Sequence, residues 1–262
     1  MSIKFGPAGL GPTKTALQTL EQYQKLGLKA CEIAFTYSVY IKPEDAKIIG
    51  EKAKELGIDL SIHGQYWINL NSAEKEKREA SKKRILECCK IGELLGAKVV
   101  VFHPGYYTNK GKTEQDKIDT YNTIKKDVKD IMNVLKDNKW KIKIAPETMG
   151  RVNVFGSIEE ISQLVNETGC SFCIDFAHIL AREKSVDYKK VELLFPGKEW
   201  HVHFSGIVYG DKGEKHHITT EKSSWKELLK NLPKDKEIRI VNESPTFVED
   251  SVDGLKLYSK LG

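Results

Sequence analysis

Nowhere does this 262-residue chain approach the ~18 uninterrupted apolar residues that a membrane-spanning helix needs. Its first residues, MSIKFGPAGLG, lack the basic-then-apolar plan of a secretory signal, so no membrane association and a cytoplasmic location are expected. Cysteine is sparse: Cys31, Cys88, Cys89, Cys170 and Cys173 form an odd set without disulfide-scaffold spacing, which suits a reducing compartment. Cys170 and Cys173 make one C-x-x-C, but the second pair of a zinc ribbon is missing, and the plainer reading is small apolar residues on a buried strand. Only 8 prolines stand beside 20 glycines, and 40% hydrophobic with 30% charged residues describes a folded chain, not a fibrous or disordered one. H-E-x-x-H, G-x-x-x-x-G-K-[ST] and G-x-S-x-G are all absent, which leaves zincin, P-loop and hydrolase-elbow chemistry without support. Gly6, Gly9 and Gly11 miss the G-x-G-x-x-G spacing and read as a tight turn after the first strand.

What is present is a regular alternation. Short β-rich runs recur at Ile3–Ala8, Ala30–Phe35, Asp59–Gly64, Lys98–His103, Lys141–Glu147, Ser171–Asp175, Trp200–Ser205 and Glu237–Glu243. Amphipathic stretches such as Thr15–Leu26, Pro43–Leu56, Ala73–Leu95, Gln115–Lys136 and Ile158–Glu167 lie between them, and Gly57 and Gly96 stand where helix C-caps belong. Eight strand–helix units without a linker or a composition shift predict an α/β fold, a single (β/α)₈ TIM barrel spanning residues 1–262. The segment Ile207–Ser224, rich in polar and turn residues, reads as a long functional loop after the seventh strand. The charged run Glu74–Arg84 alternates in sign as a solvated helix face does, and the formal charge of +5 allows a polyanionic partner without demanding one.

The seven histidines carry the functional argument. His63 and His103 end the third and fourth strands, His178 follows the sixth, His201 and His203 lie on the seventh, and His216 and His217 sit in the long loop, so none is expected in a helix. Glu147, Asp175 and Glu243 end the fifth, sixth and eighth strands. In a barrel these strand ends converge on one mouth. Imidazoles and carboxylates packed together there cost several kcal/mol each unless paired or coordinated, and such a set is the ligand field of zinc or its neighbours, which predicts a metal site at the C-terminal mouth. Of H-V-H, His203 lies nearer the mouth and is the expected ligand, with His201 a buried supporting residue. His216 and His217 point apart if extended, so one is expected to bind metal.

The ordered pieces H-G-Q-Y from His63 to Tyr66, I-N-L, F-H-P-G at His103, P-E-T at Glu147, I-D-F-A-H from Asp175 to His178, H-F at His203, K-H-H at His216 and N-E-S-P at Glu243 resemble the endonuclease IV family of apurinic/apyrimidinic endonucleases, within the xylose-isomerase-like barrels. The resemblance implies about two to three zinc ions, with manganese as the alternative. It implies that the catalytic Glu147 bridges two ions, that His63 and His103 complete the first site, and that Asp175, His203 and Glu243 complete the second. His178 and His216 would hold a third, with Glu214 where the family usually has Asp. It places Tyr66 at the DNA-inserting aromatic position, and it implies a monomer that cleaves double-stranded DNA 5′ to abasic sites, leaving a 3′-hydroxyl. Two other readings stand beside it. A single-metal sugar isomerase or epimerase would need only Glu147, Asp175, His203 and Glu243, and a non-catalytic, metal-stabilised binding module would need no open coordination position.

Overall fold

The computed structural model describes residues 2–260. Eight parallel strands follow the expected order: β1 (Ser2–Pro7), β2 (Ala30–Ala34), β3 (Asp59–His63), β4 (Val99–Phe102), β5 (Lys143–Pro146), β6 (Cys173–Asp175), β7 (Glu199–Phe204) and, after a hairpin of β8 (Gly206–Gly210) and β9 (Gly213–Ile218), β10 (Glu237–Asn242). They pair as two four-stranded sheets, β2-β3-β4-β5 and β1-β10-β7-β6. The sheets meet at two seams. At one, Glu147 bridges to Cys173 and the Thr148 N–H donates to the Cys173 carbonyl at 3.0 Å. At the other, the Lys29 N–H donates to the Phe5 carbonyl at 2.9 Å. Gly6 is what lets β1 approach β2 there, because a Cβ on it would stand 1.8 Å from the Ala30 carbonyl oxygen.

Helices α1 (Ala16–Lys25), α2 (Pro43–Leu56), α3 (Lys75–Leu95), α4 (Glu114–Asp137) and α5 (Ile158–Thr168) occupy the expected stretches. Their ends follow local chemistry. Pro43 opens α2, capping boxes start α4 (Thr113 with Asp116) and α5 (Ser157 with Glu160), and Gly57, Gly96 and Gly169 end α2, α3 and α5 in the left-handed conformation. Four further helices follow: α6 (Phe176–Glu183), α7 (Tyr188–Leu194), α8 (Lys222–Asn231) and α9 (Phe247–Tyr258). The main apolar core lies between the strands and these helices, with Trp200, Trp225, Phe5 and Phe102 among its largest fully buried members.

Two expectations change. The segment after β7 is not a loop but the antiparallel β8/β9 hairpin followed by α8. It stands outside the barrel, and neither strand has a regularly buried face, so its sequence carries none of the apolar alternation that a half-buried antiparallel strand shows. His178, expected outside any helix, lies in the first turn of α6 because the Asp175 side chain caps that helix by accepting from the His178 N–H at 2.7 Å.

Strand alternation puts the odd-numbered residues of β3 to β7 inside the barrel. A small buried cluster of Val99, Val101, Ala145 and Cys173 fills part of that interior, and the rest is polar. In the register, Glu32 pairs with Ser61, Cys173 with His201, and Asp175 with His203. The interior is therefore stacked, with a buried polar layer directly beneath the layer at the mouth.

Candidate metal centre

Glu147 stands at the centre of the mouth, where β5 ends, and both of its oxygens face imidazoles. Its Oε2 lies 3.4 Å from His63 Nε2 and 3.3 Å from His103 Nε2. Its Oε1 lies 3.2 Å from His203 Nδ1 and 3.3 Å from His178 Nδ1. Glu243 reaches the same His203 Nδ1 at 3.3 Å, and Asp175 Oδ2 lies 3.5 Å from His178 Nδ1. All of these side chains are buried except His103 and Glu243, which are partly open to the mouth.

The rings are held from behind. His63 Nδ1 donates to the Gly64 carbonyl at 2.9 Å, and His178 Nδ1 donates to the Thr148 carbonyl at 2.9 Å. A carbonyl only accepts, so the hydrogen in each case sits on Nδ1 and the other nitrogen is left free for a ligand.

Charges in this pocket raise and lower one another. Burial alone would push His63 down, but Glu147 and the neighbouring carboxylates raise it to about 9. His178 rises well above its usual value against burial, driven by Asp175 and Glu147, and His203 does so beside Cys173, Glu243, Glu32 and Glu147. Burial would raise Glu147 and Glu243, yet the imidazoles, His203 first, hold Glu147 well below the carboxylate range and Glu243 at about 2. Asp175 goes the other way: its burial outweighs the attraction of His178 and raises it. In the absence of metal, protons on imidazoles supply the positive charge that the carboxylates require.

The β8/β9 hairpin delivers the last donors, and here His216 and His217 exchange places relative to expectation. His216 is exposed and lines no part of the mouth, whereas His217 lines it with its ring centroid 5.3 Å from that of His178. A bulge causes the exchange: Val208 pairs with His216 but Tyr209 pairs with Glu214, so Lys215 is the extra residue and the alternation slips by one. Glu214 and His217 then share the inward side, with Glu214 Oε2 at 3.5 Å from His178 Nε2. Gly150 makes room for both partners, since a Cβ there would stand 2.8 Å from Glu214 Cβ and 3.0 Å from His178 Cδ2. Ser205 Oγ pairs with His217 Nδ1 and holds the ring from one side.

Sequence reading left the choice between His216 and His217 open, and it missed four residues besides Ser205. Glu32, on β2, is fully buried under the mouth against His201 and His203. Its one signal was a charged residue in an otherwise apolar strand, ACEIA. Tyr37 and Trp67 stand exposed at the rim with ring centroids 5.5 Å apart, next to the exposed Tyr66. Arg151 lines the mouth from the loop after β5.

The donors fit a metal. His63, His103 and Glu147 form one convergent group, Glu147, Asp175, His203 and Glu243 a second, and Asp175, His178 and His217 a third, with the donor atoms of each group within 4.8 Å of one another. Asp175 Oδ2 is fully buried without a hydrogen-bond partner, an expense that a coordinated cation removes. Nitrogen and carboxylate donors at these positions suit zinc or manganese. The mouth opens into a cavity of about 660 Å³, of the size that accepts a small ligand or a piece of a larger one.

A profile of the xylose isomerase-like TIM barrel family matches residues 20–257. The chain belongs to this family. An uncharacterized protein of Methanocaldococcus jannaschii is 37% identical over 276 aligned positions, covering 98% of this chain and 97% of that one. The apurinic-apyrimidinic endonuclease 1 of Plasmodium berghei is 30% identical over 158 positions, 57% of this chain but only 30% of that protein. Among solved structures, a D-tagatose 3-epimerase-like protein superposes with a TM-score of 0.73 at 21% identity, covering 100% of this chain and 98% of the other. Endonuclease IV from Thermus thermophilus gives 0.69 at 18%, covering 99% and 98%. At those identities the structural likenesses establish the barrel fold and leave the chemistry to the site. The barrel fold is common to an endonuclease IV and an epimerase-like protein, and the resemblance seen in the motifs holds at the level of the family. No helix among the described residues is long and apolar enough to cross a membrane.

Proposed function

We propose that the chain is a metal-dependent phosphodiesterase that cleaves double-stranded DNA 5′ to abasic sites. The observation that carries this reading is the surplus of donors: beyond Glu147, Asp175, His203 and Glu243, the mouth gathers His63, His103, His178 and His217. A one-metal barrel has no use for those four histidines together. His63, His103 and Glu147 would hold one ion, Glu147, Asp175, His203 and Glu243 another, and His178 and His217, with Glu214 beside them, a third.

Bound ions would supply the positive charge that an acid-rich mouth lacks for a phosphodiester, and would bring the pKa of a bound water toward neutrality. The protein's own part is placement. Glu147 holds imidazoles on both of its oxygens, the Gly64 and Thr148 carbonyls fix the rings of His63 and His178, and the Tyr37, Tyr66 and Trp67 rim offers aromatic faces to a distorted duplex. Turning out an abasic sugar costs less than turning out a paired base, which gives the selectivity a physical source.

A second reading, a sugar epimerase, is favoured by the self-contained group of Glu147, Asp175, His203 and Glu243 and by the fold likeness to the epimerase-like structure. One experiment separates them: metal content of protein purified without chelator, followed by single-turnover cleavage of a duplex with one abasic analogue, for the parent and for Glu147→Gln. The phosphodiesterase reading expects about two to three ions per chain. It also expects cleavage by the parent and its loss in the variant. One ion per chain, no cleavage and turnover of a ketose would hand the site to the epimerase.

A further inference from the structure

Beneath the mouth lie three buried polar residues: Glu32 and Ser61, which belong to no donor group, and His201, which converges with Cys173 and His203 in a fourth group below the other three. Glu32 from β2 places Oε2 3.0 Å from His201 Nε2 and accepts from Ser61 Oγ at 2.8 Å. Its other oxygen, Oε1, lies 2.9 Å from His203 Nε2. Both atoms are buried and neither has a hydrogen-bond partner, so the two approach by distance alone, without hydrogen-bond geometry. His203 is thus held between two sets of carboxylates: its Nδ1 faces Glu147 and Glu243 in the mouth, and its Nε2 faces Glu32 below.

Three other imidazoles of the mouth have neutral partners behind them, a carbonyl for His63 and His178 and a hydroxyl for His217. His203 alone among these four backs onto a carboxylate. A carboxylate with no solvent access is costly in a barrel interior, and Ala145, Val101 and Cys173 show that small apolar residues fill that interior elsewhere. The charge is accounted for if it acts on the histidine above it. A carboxylate accepting from one ring nitrogen fixes the hydrogen there, leaves the other nitrogen for metal and makes it a stronger donor.

We infer that Glu32 is a positioning residue for the metal centre, holding His203 with its hydrogen on Nε2 so that Nδ1 is presented to an ion at the mouth. His201 and Ser61 orient Glu32 by occupying its other oxygen. The inference rests on the reading of the mouth as a metal centre, but not on the choice between phosphodiesterase and epimerase, since His203 belongs to the donor group common to both.

The test is made on Glu32→Gln. Glutamine keeps the volume but loses the charge and offers an NH₂ donor: with the NH₂ toward His203 its Nε2 must accept and the hydrogen moves to Nδ1, and with the oxygen toward it the neutral amide leaves Nδ1 a weaker donor than a carboxylate does. Zinc binding to the chelator-treated proteins, measured by competition with a chromophoric chelator, is expected to weaken about 10- to 100-fold in the variant. Circular dichroism should show the fold retained, and Glu32→Asp, which keeps the charge, should recover part of the affinity. A purely structural Glu32 would lower the melting temperature of the metal-free protein and leave zinc affinity of the folded fraction unchanged, and that result overturns the inference. If Glu32→Gln does not fold, long-range ¹H–¹⁵N correlation spectra of the zinc-loaded parent decide: His203 must carry its hydrogen on Nε2, and a hydrogen on Nδ1 refutes the role. Cobalt substitution guards against a different use of the same residues, because a thiolate-to-cobalt band would place the ion on Cys173 and His201 below the mouth, which also overturns it. Should the parent bind no zinc at all, the metal-centre reading falls, and the role of Glu32 falls with it. A parent that binds zinc and a variant that binds it equally well would sink only the role of Glu32.

Discussion

His178 Nε2 lies 3.5 Å from Glu214 Oε2, so an imidazole in the first turn of a helix and a carboxylate on a hairpin outside the barrel meet across the mouth. Neither element belongs to the eight strands, and the bulge in β9 decides which hairpin residues join them. His217 turns inward with Glu214, and His216 turns out. The double variant His178→Ala/His217→Ala is therefore expected to lose abasic-site cleavage by several orders of magnitude in kcat, with a smaller change in DNA affinity, because an ion on the leaving-group side acts mainly on the transition state. It should keep part of its zinc, since the donor groups around Glu147 are untouched. His216→Ala, a surface change, should stay within about 0.5 kcal/mol of the parent in stability and within roughly twofold in rate. Single-turnover cleavage and zinc content of both variants check this, and the reverse pattern would restore His216 to the site.

The signs of the pKa shifts give a pH dependence. His63 titrates at about 9 in the folded protein against 6.5 as a free side chain, so its contribution to stability is complete below pH 6.5 and is lost as the pH rises through about 9. Glu243, held at about 2 against 4.5, contributes above pH 4.5 and loses that contribution as the pH falls toward 2. Metal-free protein should therefore be most stable between pH 4.5 and 6.5 and weaken toward pH 9. Zinc needs the imidazoles neutral, so loading opposes the alkaline loss, and the gap in melting temperature between zinc-loaded and chelator-treated protein should widen from pH 6.5 to 9. Melting curves of both forms across this range measure it. A gap that narrows with rising pH contradicts the assignment of His63 as a ligand.

Much of this centre was legible because strand ends in a parallel barrel converge by topology. His63, His103, Glu147, Asp175, His203 and Glu243 could be gathered from eight β-rich runs without coordinates, and the structure brings those six side chains to the mouth. What escaped depends on features with no periodic trace. The choice of His217 over His216 follows from one extra residue, Lys215, in a short and mostly polar hairpin, where neither alternation nor turn chemistry signals a bulge. The helical position of His178 follows from an Asp175 side chain that both caps α6 and enters the mouth. Glu32 looked like an interruption of an apolar strand, and its meaning appears only when Ser61, His201 and His203 from other strands surround it.

Tyr66 gives the last prediction, because it separates a DNA-binding rim from a sugar pocket. The residue is 58% exposed, yet its ring stands 6.1 Å from the ring of His103 and 6.3 Å from that of His63, so it is at once at the surface and beside the donors. Trp67 follows it, 51% exposed and backed by Tyr37. Large exposed aromatics cost solubility unless something covers them, and a duplex opened at a missing base offers flat faces of matching chemistry. Tyr66→Ala is expected to weaken binding to a duplex with one abasic analogue by about 1–3 kcal/mol, with a much smaller loss on intact duplex. Trp67→Ala should act in the same direction. Fluorescence anisotropy with both duplexes at fixed salt checks it, since the phosphate contacts common to the two substrates cancel in the comparison. Equal losses on both duplexes, or a drop in the melting temperature of the free protein, would make Tyr66 a packing residue of the rim and remove the aromatic argument for a DNA substrate.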